Sequence, residues 1–147
     1  MRRATRLDAR AIFRGLAMPI RIVRLGSARA VDEGLRIGTV RRPPRGVPKS
    51  RFAADDWYDV WYPNLAPSLP TMKLAQAAQG DAQWQAFVRA YRREMAAPDA
   101  AHSIALLAAL SARTDFALGC YCADEARCHR SILRELLRDA GAVFAPD

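Results

Sequence analysis

The first regular pattern along the chain is the alternation in "MPIRIVRLG": Ile20, Ile22 and Arg24 fall on one side, Arg21 and Val23 on the other. A period of two predicts a strand. "DEGLRIGTVRR" repeats the signal, with Gly34 at a turn and Leu35, Ile37 and Val40 as the apolar positions of a second strand. The pattern then stops. "PPRGVPKSRF" holds three prolines and a glycine, which enforce an irregular exposed loop, and this stretch with its flank carries Arg41, Arg42, Arg45, Lys49 and Arg51. The aromatic run "WYDVWYPNLAPS" predicts a short strand or extended edge that ends at Pro63.

Helical periodicity follows. "SLPTMKLAQAAQG" opens on Ser68 as N-cap and closes at Gly80. In "DAQWQAFVRAYRREMAA" the residues Trp84, Phe87, Val88, Tyr91 and Met95 share one helical face, with Asp81 placed to cap it. That aromatic stripe reads as core. "PDAAHSIALLAALSAR" starts at Pro98 or Asp99 and turns Ile104, Leu107 and Leu110 inward, leaving His102 on the surface. "TDFALGCYC" is apolar, bounded by polar residues and too short for a helix, so it predicts a buried strand. A last helix carries Ile132, Leu133, Leu136, Leu137 and Ala140 and meets Gly141 at its end. The order β–β–β–α–α–α–β–α predicts a small single-domain α/β layer, with a mostly parallel sheet and flanking helices, over residues 18–147. Residues 1–17 are expected to form a disordered or loosely helical basic extension.

Charge changes this picture in one place. The net charge is +8, but residues 21–51 alone carry +7 and everything beyond them is net acidic. Arg outnumbers Lys 21 to 2, and with abundant Ala this is the usage that GC-rich coding produces, so part of the Arg content carries no functional meaning. No apolar run approaches the roughly 20 residues of a membrane span, and the N-terminus lacks the apolar core of a signal peptide. A cytoplasmic location with no membrane partner is the expectation. Three cysteines, an odd number in one stretch, argue against a disulfide framework and for reduced thiols.

All three thiols and one histidine lie in "GCYCADEARCHRSIL". Cys120, Cys122, Cys128 and His129 are the ligand types zinc prefers, yet neither C-x-C nor adjacent C-H matches the spacing of structural sites, so no metal and no cofactor are predicted. Either Cys120 or Cys122, if it lies in a buried strand, reads as a small core residue. Cys128 is the candidate nucleophile. A helix starting there sets its sulfur among unpaired amides between Arg127 and Arg130, which favours the thiolate. A helix starting at Asp124 instead leaves Cys128 one turn in and less activated; both starts are open. Cys128 and Arg134 have the C-x5-R spacing of cysteine phosphatases, but "HRSIL" is helix-forming where that phosphate loop is glycine-rich. Arg127, His129, Arg130 and Ser131 near a helix start also suit an anion without covalent chemistry.

"CYCADEARCHRSIL" resembles the C-terminal signature of the domain of unknown function 488 (YeaO-like) family, in which a strand ending in Cys leads to a C-H-R motif that opens the last helix. "DEGLRIGTVRRPPRGVPKSRFAADDWYDVWYPNLAPS" is similar to that family's N-terminal half, and "WQAFVRAYRREM" falls at its Trp–Phe–Tyr helix. The resemblance covers residues 18–141. It implies a small α/β fold, no settled activity, and Arg42, Arg45, Gly46, Cys120, Cys128, His129 and Arg130 as the positions to watch. Pro43 stands where many relatives have Trp. Members without the cysteines exist, so the thiols are not required for the fold.

The resulting expectation is a cationic pocket at a strand-to-helix turn. Arg42, Arg45, Cys120, Arg130 and Ser131 would bind a small phosphate- or nucleotide-like anion there, and Cys128 with His129 would supply chemistry if the protein is an enzyme. The alternative is a nucleic-acid-binding module using the basic segment 21–51 with Phe52, Trp57, Tyr58 and Trp61 as stacking groups. The oligomeric state is open.

Overall fold

Phe116–Cys120, every residue of it buried, sits inside the sheet and explains why "FALGC" shows no alternation: a parallel strand covered on both faces has no polar side. A computed structural model of the chain describes residues 19–146; the predicted basic extension over 1–17 lies outside them. The strands are β1 (Ile20–Arg24), β2 (Leu35–Gly38), β3 (Val60–Trp61) and β4 (Phe116–Cys120). They form one sheet in the order β1-β4-β2-β3, parallel at every pairing. Among the described residues four helices complete the fold: α1 (Leu69–Ala77), α2 (Asp81–Met95), α3 (Pro98–Leu110) and α4 (His129–Asp139). The α/β class and the element order agree with the sequence pattern. The aromatic run shrinks to the two residues of β3, because Pro63 opens a 3₁₀ turn straight after it.

The register puts Ile22, Leu118 and Ile37 in one row across the sheet. On this face lies the main core, built with Trp84, Phe87, Tyr91 and Met95 of α2, Ile104 and Leu107 of α3, and Ile132, Leu133 and Leu137 of α4. The stripe predicted from α2 is therefore core. Capping is mixed: the Ser68 hydroxyl accepts from Thr71 N at the start of α1, as expected, whereas Gly80 occupies the N-cap of α2 and Asp81 is its first residue.

The opposite face carries Arg36, Ala117, Gly38 and Gly119. It is covered by the β1–β2 connection and by residues 52–59, and the small residues are what let these segments approach. A Cβ on Gly38 would stand 2.5 Å from the Tyr58 ring, and one on Gly119 2.4 Å from the Leu25 side chain. Arg36 is fully buried beneath these segments. It is paired through both Nε and Nη2 with Glu33, each bond 2.8 Å, and Nη1 donates to the carbonyls of Ser27 and Asp56.

The turn into β2 is equally tight. Gly34 has φ +74, and a Cβ there would lie 2.3 Å from the Asp115 carbonyl oxygen, which is backbone and cannot give way. Gly34→Ala should cost about 2–5 kcal/mol, the sum of a left-handed backbone and an overpacked contact. Gly80, φ +91 with nothing within 4 Å, bears only the first of these, so Gly80→Ala should lower the thermal midpoint less. Equal shifts for the two variants in differential scanning fluorimetry would refute this account.

Candidate functional site

Arg24, Cys120 and Gly38 end β1, β4 and β2 at one edge of the sheet, the carboxyl edge where open α/β sheets place their ligands. Beyond β4 the chain leaves the sheet at Tyr121 and makes a 3₁₀ turn, Glu125–Arg127, capped by Asp124, whose Oδ1 accepts from Ala126 N at 3.0 Å. Cys128 then returns to extended geometry (φ −133, ψ 154) and is the N-cap of α4. Each of the two helix starts left open by the sequence accounts for one part: Asp124 caps a short turn, and the helix proper begins after Cys128. Cys122, two positions beyond Cys120, turns to the same side as an extended chain dictates, and the two sulfurs are 3.8 Å apart.

Cys128 is buried at 3% exposure, and its sulfur is the centre of a polar cluster. His129 Nδ1 is 3.7 Å away and Arg130 Nε donates to the sulfur at 3.3 Å. The histidine ring is oriented from behind: Nε2 lies 2.8 Å from the Thr39 carbonyl and 3.1 Å from Thr39 Oγ1, and that hydroxyl reaches the Gly119 carbonyl at 3.1 Å. With Nε2–H aimed at Thr39, it is Nδ1 that faces the thiol. The Tyr91 ring packs edge-on to His129 at 5.5 Å, and its hydroxyl donates to the Leu65 carbonyl.

These contacts decide which thiol ionises. Hydrogen bonds from the Cys120 and then the Cys122 thiol pull Cys128 well below the ordinary thiol range; His129 adds to this, and burial opposes it without prevailing. Cys120 is pushed far up, first by its hydrogen bond to Cys122, then by that to Cys128 and by burial. For Cys122 the Cys120 contact acts downward, but Cys128 and burial outweigh it and the thiol is raised. Of the three thiols, Cys128 is the one whose surroundings favour the thiolate.

Cys120, Cys128 and His129 offer metal-ligand atoms within 4.8 Å of one another, closer than their sequence spacing suggested. Charge argues against an ion among them. Arg130 already touches the Cys128 sulfur, and a divalent cation there would sit against a buried guanidinium.

The cluster forms part of the wall of a cavity of about 980 Å³. Leu25, Trp57, Met72 and Phe87 supply apolar wall, and Arg24, Arg42, Arg45 and Arg127 line it as well. The Tyr121 hydroxyl donates to the Arg42 carbonyl and so pins the arginine-bearing turn over the strand end. Among the described residues, neither Arg42 nor Arg45 has a side-chain hydrogen bond or ion pair.

A family described as the active DUF488-N3 subclade, DUF488-N3a, matches residues 20–141. The chain belongs to the DUF488 family. No curated protein and no solved structure matches it.

Within this DUF488 domain the residues singled out from sequence divide into two groups. Arg42, Arg45, Cys120, Cys128 and His129 line the cavity. Arg130 and Ser131 stand behind it. Arg130 is 3% exposed and its remaining donors are taken by the Val23 and Cys122 carbonyls at 2.8 and 2.5 Å; Ser131 Oγ donates to the Cys128 carbonyl. Arg130 thus acts on the thiolate and the strand ends rather than on the cavity. Arg24, Met72, Tyr121 and Thr39 were not singled out from sequence as site residues, and Trp57 was named only as a stacking group beside the basic segment.

The basic segment is largely spent internally. Arg21 pairs with Asp32, Arg29 with Asp56 and Asp59, Arg36 with Glu33 and Arg51 with Asp55. Arg41 donates to the carbonyls of Pro63, Ala66 and Pro67. Tyr58 is buried and the Trp61 indole N–H is held by the Val40 carbonyl. These partners reduce what the segment has available for a polyanion. No helix among the described residues is long and apolar enough to cross a membrane.

Proposed function

We propose that this DUF488 domain binds a small phosphate- or nucleotide-like anion in the cavity at the carboxyl edge of its sheet, and that Cys128 is the nucleophile acting on it. The observation that carries the reading is a shared wall: the cavity that Arg42 and Arg45 line without internal partners is also lined by Cys128 and His129. Arg42 and Arg45 hold the anion through guanidinium forks. Trp57 and Phe87 offer an apolar surface for a flat organic part. His129, aimed by Thr39, and Arg130 stabilise the thiolate, the arrangement of an activated nucleophile whose partner is oriented by a third group. The subclade's description as active agrees with a reacting residue.

Calorimetric titration with inorganic phosphate and with AMP at low ionic strength tests it. A charge-assisted hydrogen bond contributes about 1.5–3 kcal/mol, so Arg42→Ala and Arg45→Ala should each weaken binding by roughly tenfold to a hundredfold. The bound anion should also slow iodoacetamide labelling of Cys128. The reading fails if neither phosphate nor AMP binds, or if they bind with unchanged affinity to both variants.

A further inference from the structure

An anion site needs one thiolate; this one surrounds it with two more thiols. Cys120 lines the cavity beside Cys128, and a purely structural residue there would need no sulfur. What its position does supply is a partner for Cys128. The two sulfurs and His129 lie within a 4.8 Å group, and the seven residues Tyr121–Arg127 between them close a loop long enough for a disulfide. A bridge between Cys120 and Cys122 would close a ring with a single residue inside it. Cys122 is further held in place through its carbonyl by Arg130.

We infer that Cys128 and Cys120 form a hydroperoxide-reactive pair, Cys128 being oxidised and Cys120 resolving it. This rests on the reading of Cys128 as a reactive thiolate, which the approach of Arg130 Nε and His129 Nδ1 to its sulfur supports. The Cys128 thiolate attacks the terminal peroxide oxygen. An S–O bond forms as the O–O bond breaks, giving Cys128 sulfenic acid and an alkoxide, or hydroxide from hydrogen peroxide, which takes a proton from water in the cavity. The Cys120 sulfur then attacks the Cys128 sulfur. An S–S bond forms, the S–O bond breaks, and the departing hydroxide leaves as water with the Cys120 proton. The thiol pair loses two electrons and the peroxide gains them. Oxidation removes the thiolate that faces the bound anion, so the same step silences the site until a thiol reductant restores it.

The test uses the full reduced chain and stoichiometric hydrogen peroxide. The intact mass should fall by two hydrogens, peptide mapping should join Cys120 to Cys128 with Cys122 still alkylatable, and dithiothreitol should reverse both. In Cys120→Ala the sulfenic acid should persist on Cys128 and be trapped by dimedone. Cys122→Ala, altered at an exposed thiol, should still form the bridge, which keeps the inference testable if the buried variant does not fold. Oxygen addition without a bridge, a bridge through Cys122, or three unreacted thiols would each overturn it. A protein that binds AMP yet forms no bridge loses this inference and keeps the anion reading; one that forms the bridge but binds neither phosphate nor AMP does the reverse.

Discussion

Replacing Arg36 by methionine is expected to lower the unfolding free energy by about 3–5 kcal/mol, the cost of stranding one member of a buried ion pair. Arg36 and Glu33 are 0% and 3% exposed at their side chains. The arginine also ties the Ser27 and Asp56 carbonyls to the sheet, so its loss frees the two segments that cover one face. For a domain whose total stability is about 5–15 kcal/mol, this brings the variant near unfolding. The double variant Glu33→Met/Arg36→Met should recover much of the loss, since the unpaired carboxylate goes with it. Urea midpoints with unchanged m-values would measure both. A loss below about 1 kcal/mol in the single variant would contradict the burial of a charged pair.

The second large effect is a pH dependence of stability set by the thiol cluster. The folded Cys128 thiol ionises well below its unfolded value, which is about 8.5. Between the two, the unfolded chain binds the extra proton, so stability rises with pH by about 1.4 kcal/mol per unit and is fully present only above the unfolded value. Cys120 and Cys122 act in the opposite sense. Their raised folded values mean that above about pH 8.5 it is the folded state that keeps protons, and stability falls. A maximum near pH 8.5 follows. Urea midpoints of the reduced protein between about pH 6 and 10 would trace it. Cys128→Ala should flatten the rising limb, and a wild type with no such limb would show that Cys128 is not held as a thiolate.

Cys128 also shows what local pattern reaches and where it ends. Its place before a helix was readable from the apolar spacing of Ile132, Leu133 and Leu137. So was Arg130 as a neighbour of the thiol, and its Nε does meet the sulfur. Local pattern did not reach the orientation of His129 by Thr39, ninety positions away from it and acting through a carbonyl that every residue type possesses, nor the return of Cys120 to the same group. Arg130 shows the converse. Its type and position suggested an anion ligand, but the carbonyls of Val23 and Cys122 and the Cys128 sulfur take its donors.

The sequence by itself determined the element order, the α/β class, the core stripe of α2, the unalternating β4 and the family, because periodicity, prolines, caps and motif spacing act over a few residues of chain. Tertiary structure alone decided the strand order β1-β4-β2-β3, the burial of Arg36 with Glu33, and which arginines remain without partners. Those outcomes depend on which backbone carbonyls and carboxylates come within hydrogen-bond reach once distant segments pack. That proximity is a property of the closed fold, and it leaves no local pattern in the chain.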